Sequence, residues 1–166
     1  MSTLLLTGPP GAGRIAIAEQ ISRRLHRCAI VDVDRVRQMV KRPDPDTHNS
    51  DESDVLSVSN GCALIKNFVG AGYDTIALDV VSDETAALYD QYLGRDELLI
   101  VMVLPSEEEV HTRLLSRPEY LSRGEPDELY RRQTAFRAYD LHLDNTAMTS
   151  EQAADWLLER WEAVSK

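Results

Sequence analysis

The sequence predicts an α/β fold: a three-layer sandwich in which a five-stranded parallel sheet is covered by helices on both faces. Three observations predict it. Short apolar stretches at 4–7, 29–33, 75–81, 98–104 and 141–144 alternate with segments of helical period, the order that builds a parallel sheet through helical crossovers. The stretch 98–104 is seven consecutive apolar residues, as expected of a strand covered on both faces. Glycines at 8, 11 and 13 fall between the first strand and the first helix, where a tight loop must turn the chain over.

Taken in order, 4–7 is a short buried strand without alternation. From Arg14 to about Leu25 the period is helical, with Ile17, Ala18, Ile21 and Leu25 on one face. A second strand runs over 29–33 and ends at Asp34. A helix starting at 36–40 is stopped by Pro43 and Pro45, and 43–54 is polar and acidic. A helix over 55–71 closes at Gly70 or Gly72. The third strand is 75–81. Ser82 opens a helix to Leu93, closed by Gly94. Pro105 ends the fourth strand, and Ser106 with Glu109 forms a capping box for a helix to Ser116. An Arg-, Pro- and Gly-rich segment at 117–126 precedes a helix over 127–139. After the fifth strand, Thr149 and Gln152 cap a last helix, whose inner stripe is Ala153, Leu157, Trp161 and Val164. No internal repeat or linker divides the chain, so a single domain over 1–166 is expected, with 117–126 as a lid.

The net charge of −10 argues against broad nucleic-acid binding. Its distribution says more. Residues 1–42 carry a net +5, 43–112 a net −13, 113–137 a net +2 and 138–166 a net −4. An anionic ligand is therefore favoured near the glycines and near 113–137. No run approaches the ~20 apolar residues of a membrane span. The N-terminus lacks the basic and apolar regions of a signal peptide. Cys28 and Cys62 are too few for a disulfide framework and read as plain buried thiols, which fits the cytoplasm.

Ligands of such sheets bind beyond the carboxyl ends of the strands, which gathers scattered residues into one crevice. Gly8-Pro9-Pro10-Gly11-Ala12-Gly13-Arg14-Ile15 has the glycine spacing of the phosphate-binding loop G-x-x-x-x-G-K-[ST], whose backbone N–H groups cradle phosphates at a helix N-terminus. Its last two positions depart from that pattern. Arg14 keeps a positive charge, but its planar fork is not a point charge; it pairs either with phosphate or with an acid such as Asp79. Ile15 cannot coordinate Mg²⁺ as the usual hydroxyl does, so a metal would rest on phosphate, water and carboxylates such as Asp32 or Asp79. Alternation puts Asp32 and Asp34 on one side of the second strand. Asp34, further toward the crevice, is the candidate base or acceptor anchor; capping of the following helix is the competing role. Asp79 sits where a Walker-B-type acid is expected. Arg113 and Arg117 share a helical face and, with Arg123, would clamp phosphates or form a solvated face. Asn145 and Thr146 would edge a base. His48, His111 and His142 lack ligand spacing and read as surface or structural residues.

The glycine loop, the Asp32-Val33-Asp34 ending of strand two, the Arg113-to-Arg123 segment and the five-strand layout resemble the small-molecule kinases of the P-loop class. Those include shikimate kinase, gluconate kinase, and chloramphenicol phosphotransferase with its AAA-type relatives. The resemblance covers essentially the whole chain. It implies a sheet ordered 2-3-1-4-5, a mobile lid, ATP or GTP as phosphoryl donor, and transfer to a hydroxyl held near strand two. It maps the nucleotide loop to Gly8–Ile15, the acceptor or base aspartate to Asp34, and a metal-side acid to Asp32. It maps the lid arginines to Arg117 and Arg123, and Arg113 to the neighbourhood of the base. Arg14 and Ile15 are its departures.

The expected function is accordingly a nucleotide-dependent phosphotransferase acting on a hydroxyl of a small molecule, with ATP (or GTP) and Mg²⁺ as cofactors. The alternative is a catalytically impaired pseudokinase that binds a nucleotide or another anion and acts through a partner. The acidic 43–54 segment and the helix carrying Asn60 are expected to border the acceptor pocket.

Overall fold

A computed structural model describes residues 3–42, 50–115 and 125–164. Strands β1 (Thr3–Thr7), β2 (Cys28–Asp32), β3 (Asp74–Leu78), β4 (Leu98–Val103) and β5 (Leu141–Leu143) form one parallel sheet in the order β2-β3-β1-β4-β5. Leu5 lies between Ala77 of β3 and Ile100 of β4. Central β1 and β4 are buried along their whole length, which is why their sequences are apolar without alternation.

Alternate side chains leave β1 on opposite faces. Leu4 and Leu6 join a core closed by Ile17 and Ile21 of helix α1 (Arg14–Ser22) and by Ala153, Leu157 and Trp161 of α7 (Ser150–Val164). Leu5 faces the other core, closed by Val58, Cys62 and Ile65 of α3 (Ser50–Gly70) and by Tyr89 of α4 (Asp83–Leu93). The inner stripe of α7 holds as far as Trp161; Val164, expected on it, is 58% exposed in the helix's last turn. Thr149 and Gln152 make the full reciprocal cap of α7, at 2.9 and 3.2 Å. For α5 (Glu107–Leu115), the Glu109 N–H donates to Ser106 Oγ at 3.2 Å, while the Glu109 carboxylate takes Arg113 at 2.7 Å.

Three boundaries move for identifiable reasons. Strand β2 ends at Asp32 rather than Asp34, because the Asp32 side chain caps α2 (Val33–Arg37) by accepting from the Arg35 N–H at 3.2 Å. Asp34 therefore lies in a helix, and the expected strand alternation of Asp32 with Asp34 is replaced by a helical turn. Strand β3 ends at Leu78, and beyond it the Val81 N–H donates to the Thr7 side chain instead of a ladder carbonyl. Helix α6 (Glu125–Ala135) stops before Tyr139, since the N–H groups of Arg137 and Ala138 donate to one oxygen of Asp83 at 3.0 and 2.9 Å. The lid segment expected at 117–126 lies mostly outside the described residues, as does most of the acidic 43–54 segment. Among the described residues, no helix is long and apolar enough to cross a membrane.

Both cysteines are free; Cys62 is buried and Cys28 half-buried. Burial pushes the Cys62 thiol from 9.0 up to about 12, with Lys66 pulling down and Asp79 adding to the rise. The unfolded chain thus releases this proton first, and stability is lost as pH climbs from 9.0 toward 12. The expected loss is up to about 1.4 kcal/mol per pH unit for this thiol. Urea unfolding between about pH 8 and 11 is expected to show a shallower pH slope for Cys62→Ala than for the parent chain; equal slopes would remove Cys62 from the alkaline transition.

Candidate functional site

The chain leaves β1 at Thr7 and turns through Gly8–Gly13 into α1. Gly8 passes so close to β4 that a Cβ there would stand 2.1 Å from the Val103 carbonyl oxygen. Gly13 is the N-cap residue of α1, at φ +91°, and supplies no side chain to the first helical N–H groups. A glycine tolerates this left-handed backbone and leaves those donors open to an anion. The loop is tied from outside at Ala12, whose carbonyl accepts from Asn145 Nδ2 at 2.9 Å and Arg113 Nη1 at 3.3 Å. Arg113 also donates to the Asn145 carbonyl at 3.1 Å and to Glu109. Arg113 and Asn145, two of the three residues expected near a base, thus line the cleft and also brace the glycine loop; the third, Thr146, does not line it and instead accepts from the Ser106 N–H and donates to Asp144.

The foot of the loop is held by Thr7, which is fully buried. Its hydroxyl donates to Gln133 Oε1 at 3.1 Å and accepts from the Val81 N–H at 2.9 Å. Gln133 Nε2 closes the circuit by donating to the Val81 carbonyl at 2.8 Å. Helix α6 is thereby fastened to the end of β1. Sequence reasoning missed both residues. A polar Gln on a helix of mixed charged and uncharged residues carries no local signal that it is 3% exposed.

Arg14 opens α1 and reaches Asp34 at 3.5 Å; its side chain is 12% exposed. The expected alternative partner of Arg14, Asp79, is held elsewhere. It is fully buried just beyond β3 and accepts from Tyr89 Oη at 2.8 Å and the Val80 N–H at 2.9 Å. Its cationic partner is Arg37, at 3.4 Å. Arg37 was not singled out by the sequence. It is a hub, pairing also with Asp34 at 2.8 Å and Asp54 at 3.2 Å. Burial works to lower the Arg37 pKa, but Asp79, Asp34 and Asp54 outweigh it and leave it raised. Burial pushes the Asp79 carboxyl above its usual range, with Arg37 pulling against it. The Tyr89 phenol is driven well above 10.0 by burial and by Asp79, and so stays a donor. Asp32 caps α2 and pairs with Arg35 at 3.3 Å. Ile15 is 44% exposed on the cleft wall.

These groups surround one cleft of ≈ 1370 Å³ at the carboxyl ends of the strands, with Pro10, Gly13, Arg14, Asp34, Arg37 and Arg113 among its walls. A second hollow of ≈ 520 Å³ meets it at Asp34 and Arg37 and extends to Asp54, Asp83 and Arg132. Asn60, expected beside an acceptor pocket, is exposed and lines neither. Arg117 and Arg123 lie outside the described residues. His111 is exposed and paired with Asp127 at 2.7 Å; His48 also lies outside the described residues.

The strand order and the glycine loop after β1 give the chain the fold of the P-loop kinases. Neither a protein-family model nor a curated protein matches the sequence. Solved structures do match in fold. An APS kinase from Mycobacterium tuberculosis, in complex with AMPPNP and APS, is similar at TM-score 0.76 and 15% identity over 97% of each chain. A sugar kinase from Janibacter sp. is similar at TM-score 0.72 and 16% identity, covering 99% of this chain and 98% of that one. A shikimate kinase from Acinetobacter baumannii, in complex with shikimate, is similar at TM-score 0.67 and 14% identity, covering 98% and 94%.

Proposed function

We propose that the chain is a phosphotransferase that moves the terminal phosphoryl group of ATP (or GTP) to a hydroxyl of a small molecule. The observation that carries this reading is one cleft in which uncapped N–H groups of α1 stand beside the Arg14–Asp34 ion pair, next to a second hollow that shares Asp34 and Arg37 with it. Gly8 to Gly13 hold the phosphates through backbone donors. Arg14 offsets their charge, and Arg113 with Asn145 keeps the loop in shape. The acceptor hydroxyl enters from the second hollow and gives its proton to Asp34 as its oxygen bonds to the terminal phosphorus. The bond from that phosphorus to the bridging oxygen breaks, and the nucleoside diphosphate leaves. Arg117 and Arg123, which the resemblance assigns to the transferred group, lie outside the described residues.

The kinases of this fold ordinarily work with Mg²⁺, and the donor set here does not fit that ion. Ile15 offers no oxygen. Asp32 is engaged as a helix cap, and Asp79 and Asp34 are held by Arg37. No step above runs through a metal. The pairing of Asp34 with two arginines also favours a second reading, a nucleotide-binding protein without transfer activity. Isothermal titration with ATP tests both: saturable one-to-one heat is expected, and none with any nucleoside triphosphate would overturn both. Labelled-phosphate transfer to a panel of polyhydroxylated acceptors then separates them, since only the first reading gives a phosphorylated product.

A further inference from the structure

We propose that the Arg37 guanidinium takes the place of the divalent cation in this cleft, so that a nucleoside triphosphate binds as the metal-free anion. The inference rests on the reading of the cleft as a phosphate site and specifies how its charge is balanced. Three carboxylates from three parts of the fold converge on one cation: Asp34 from α2 at 2.8 Å, Asp54 from α3 at 3.2 Å, and Asp79 after β3 at 3.4 Å. Such a set is what a hard divalent ion uses for its oxygen ligands. Here the guanidinium already occupies it, and both oxygens of Asp34 (to Arg37 and Arg14) and of Asp79 (to Arg37 and Tyr89) are engaged, so neither turns to a metal without giving up a partner. That departure is costly for Asp79, which is fully buried and would lose its counter-charge.

The remaining features agree. At the position where a hydroxyl would complete a metal shell stands the aliphatic Ile15. Arg14 Nη1 and Arg37 Nε are buried and have no hydrogen-bond partner among the described residues. Both side chains line the cleft, so each brings a donor that an incoming anion could satisfy. Along the cleft wall as a whole, five cationic side chains stand against three carboxylates. The lining itself is thus net positive, while Asp54 and Asp79, which are not part of it, also pair with Arg37. Arg14 and Arg37 bring two positive charges to the cleft, held in place by Asp34, Asp54 and Asp79.

Isothermal titration of the full chain with ATP, once in excess EDTA and once in excess MgCl₂, decides the matter. The two Kd values are expected to agree within about threefold, and a Kd more than about tenfold weaker in EDTA would overturn the proposal. No ATP binding in either condition would instead overturn the phosphate-site reading beneath it. Mn²⁺ titrated alone and followed by electron paramagnetic resonance is expected to show no one-to-one site; a micromolar site at Asp34 and Asp79 would count against Arg37. Arg37→Gln frees the carboxylates. Provided circular dichroism shows that variant folded, its ATP affinity in EDTA is expected to fall by about tenfold or more, with Mg²⁺ now restoring it. A folded variant that binds as the parent does, in both conditions, would overturn the assignment. Should the variant not fold, the pair of titrations on the parent chain carries the test alone.

Discussion

Gly8→Ala is expected to lower the stability of the protein by about 3 kcal/mol or more, the upper range for overpacking a rigid site. In a chain of this size that corresponds to a fall in Tm of roughly 6–12 °C. The reason is the backbone. The new Cβ would stand 2.1 Å from the Val103 carbonyl oxygen and 3.3 Å from the Ala12 Cβ. Neither neighbour is the free end of a flexible side chain. Val103 belongs to β4, whose register with β1 is fixed by neighbours on both sides. Relief requires the loop to lift off the sheet, and that breaks the shape on which phosphate binding rests. Gly13→Ala is the contrast. A Cβ there makes only ordinary contacts, its nearest neighbours lying at 3.6 Å, and only the φ of +91° is strained. That costs about 1–2 kcal/mol. Thermal unfolding followed by circular dichroism should therefore rank Gly8→Ala well below Gly13→Ala. The reverse order would mean that the loop is not seated on β4.

The sheet was legible because its signals are local and redundant. Seven apolar residues at 98–104 are the pattern of a strand covered on both faces, and Gly8, Gly11 and Gly13 mark the turn into α1. The site was legible only where a residue type implies its own role. Arg14 does pair with an acid, but with Asp34 rather than the expected Asp79. Asp79 kept its place but not its partner, since a buried carboxylate demands a counter-charge without saying which of the chain's arginines supplies it. Arg37 gave no sign, because its role depends on α2 starting at Val33 and thus on Asp32 acting as a cap rather than as a strand residue. One shifted boundary redirects two carboxylates and the arginine. Thr7 and Gln133, 126 residues apart in the chain, were invisible for a simpler reason: a pairing between distant neutral side chains leaves no spacing to read.

Asp34→Asn is expected to separate transfer from binding. As the acceptor base, Asp34 contributes by taking a proton, and an amide cannot; loss of such a group lowers kcat by roughly 10²–10⁴. Nucleotide affinity should move the other way or stay constant. Asp34 competes with phosphate for Arg14 and Arg37, which it meets at 3.5 and 2.8 Å, and neutralising it leaves both cations more available to an anion. The fold should tolerate the change, because Arg37 keeps Asp54 and Asp79 and Asp34 is 33% exposed. A cost of about 1 kcal/mol or less follows for so accessible a pair. Steady-state transfer assays and isothermal titration on the same preparation make the comparison. A folded variant with unchanged kcat would remove Asp34 as the base. Loss of nucleotide binding together with kcat would make Asp34 a support for Arg14 and Arg37 rather than a partner of the acceptor. If the parent chain transfers nothing while Asp34→Asn binds ATP more tightly, the carboxylate is a lock on the two arginines, and the binding reading stands in place of the enzymatic one.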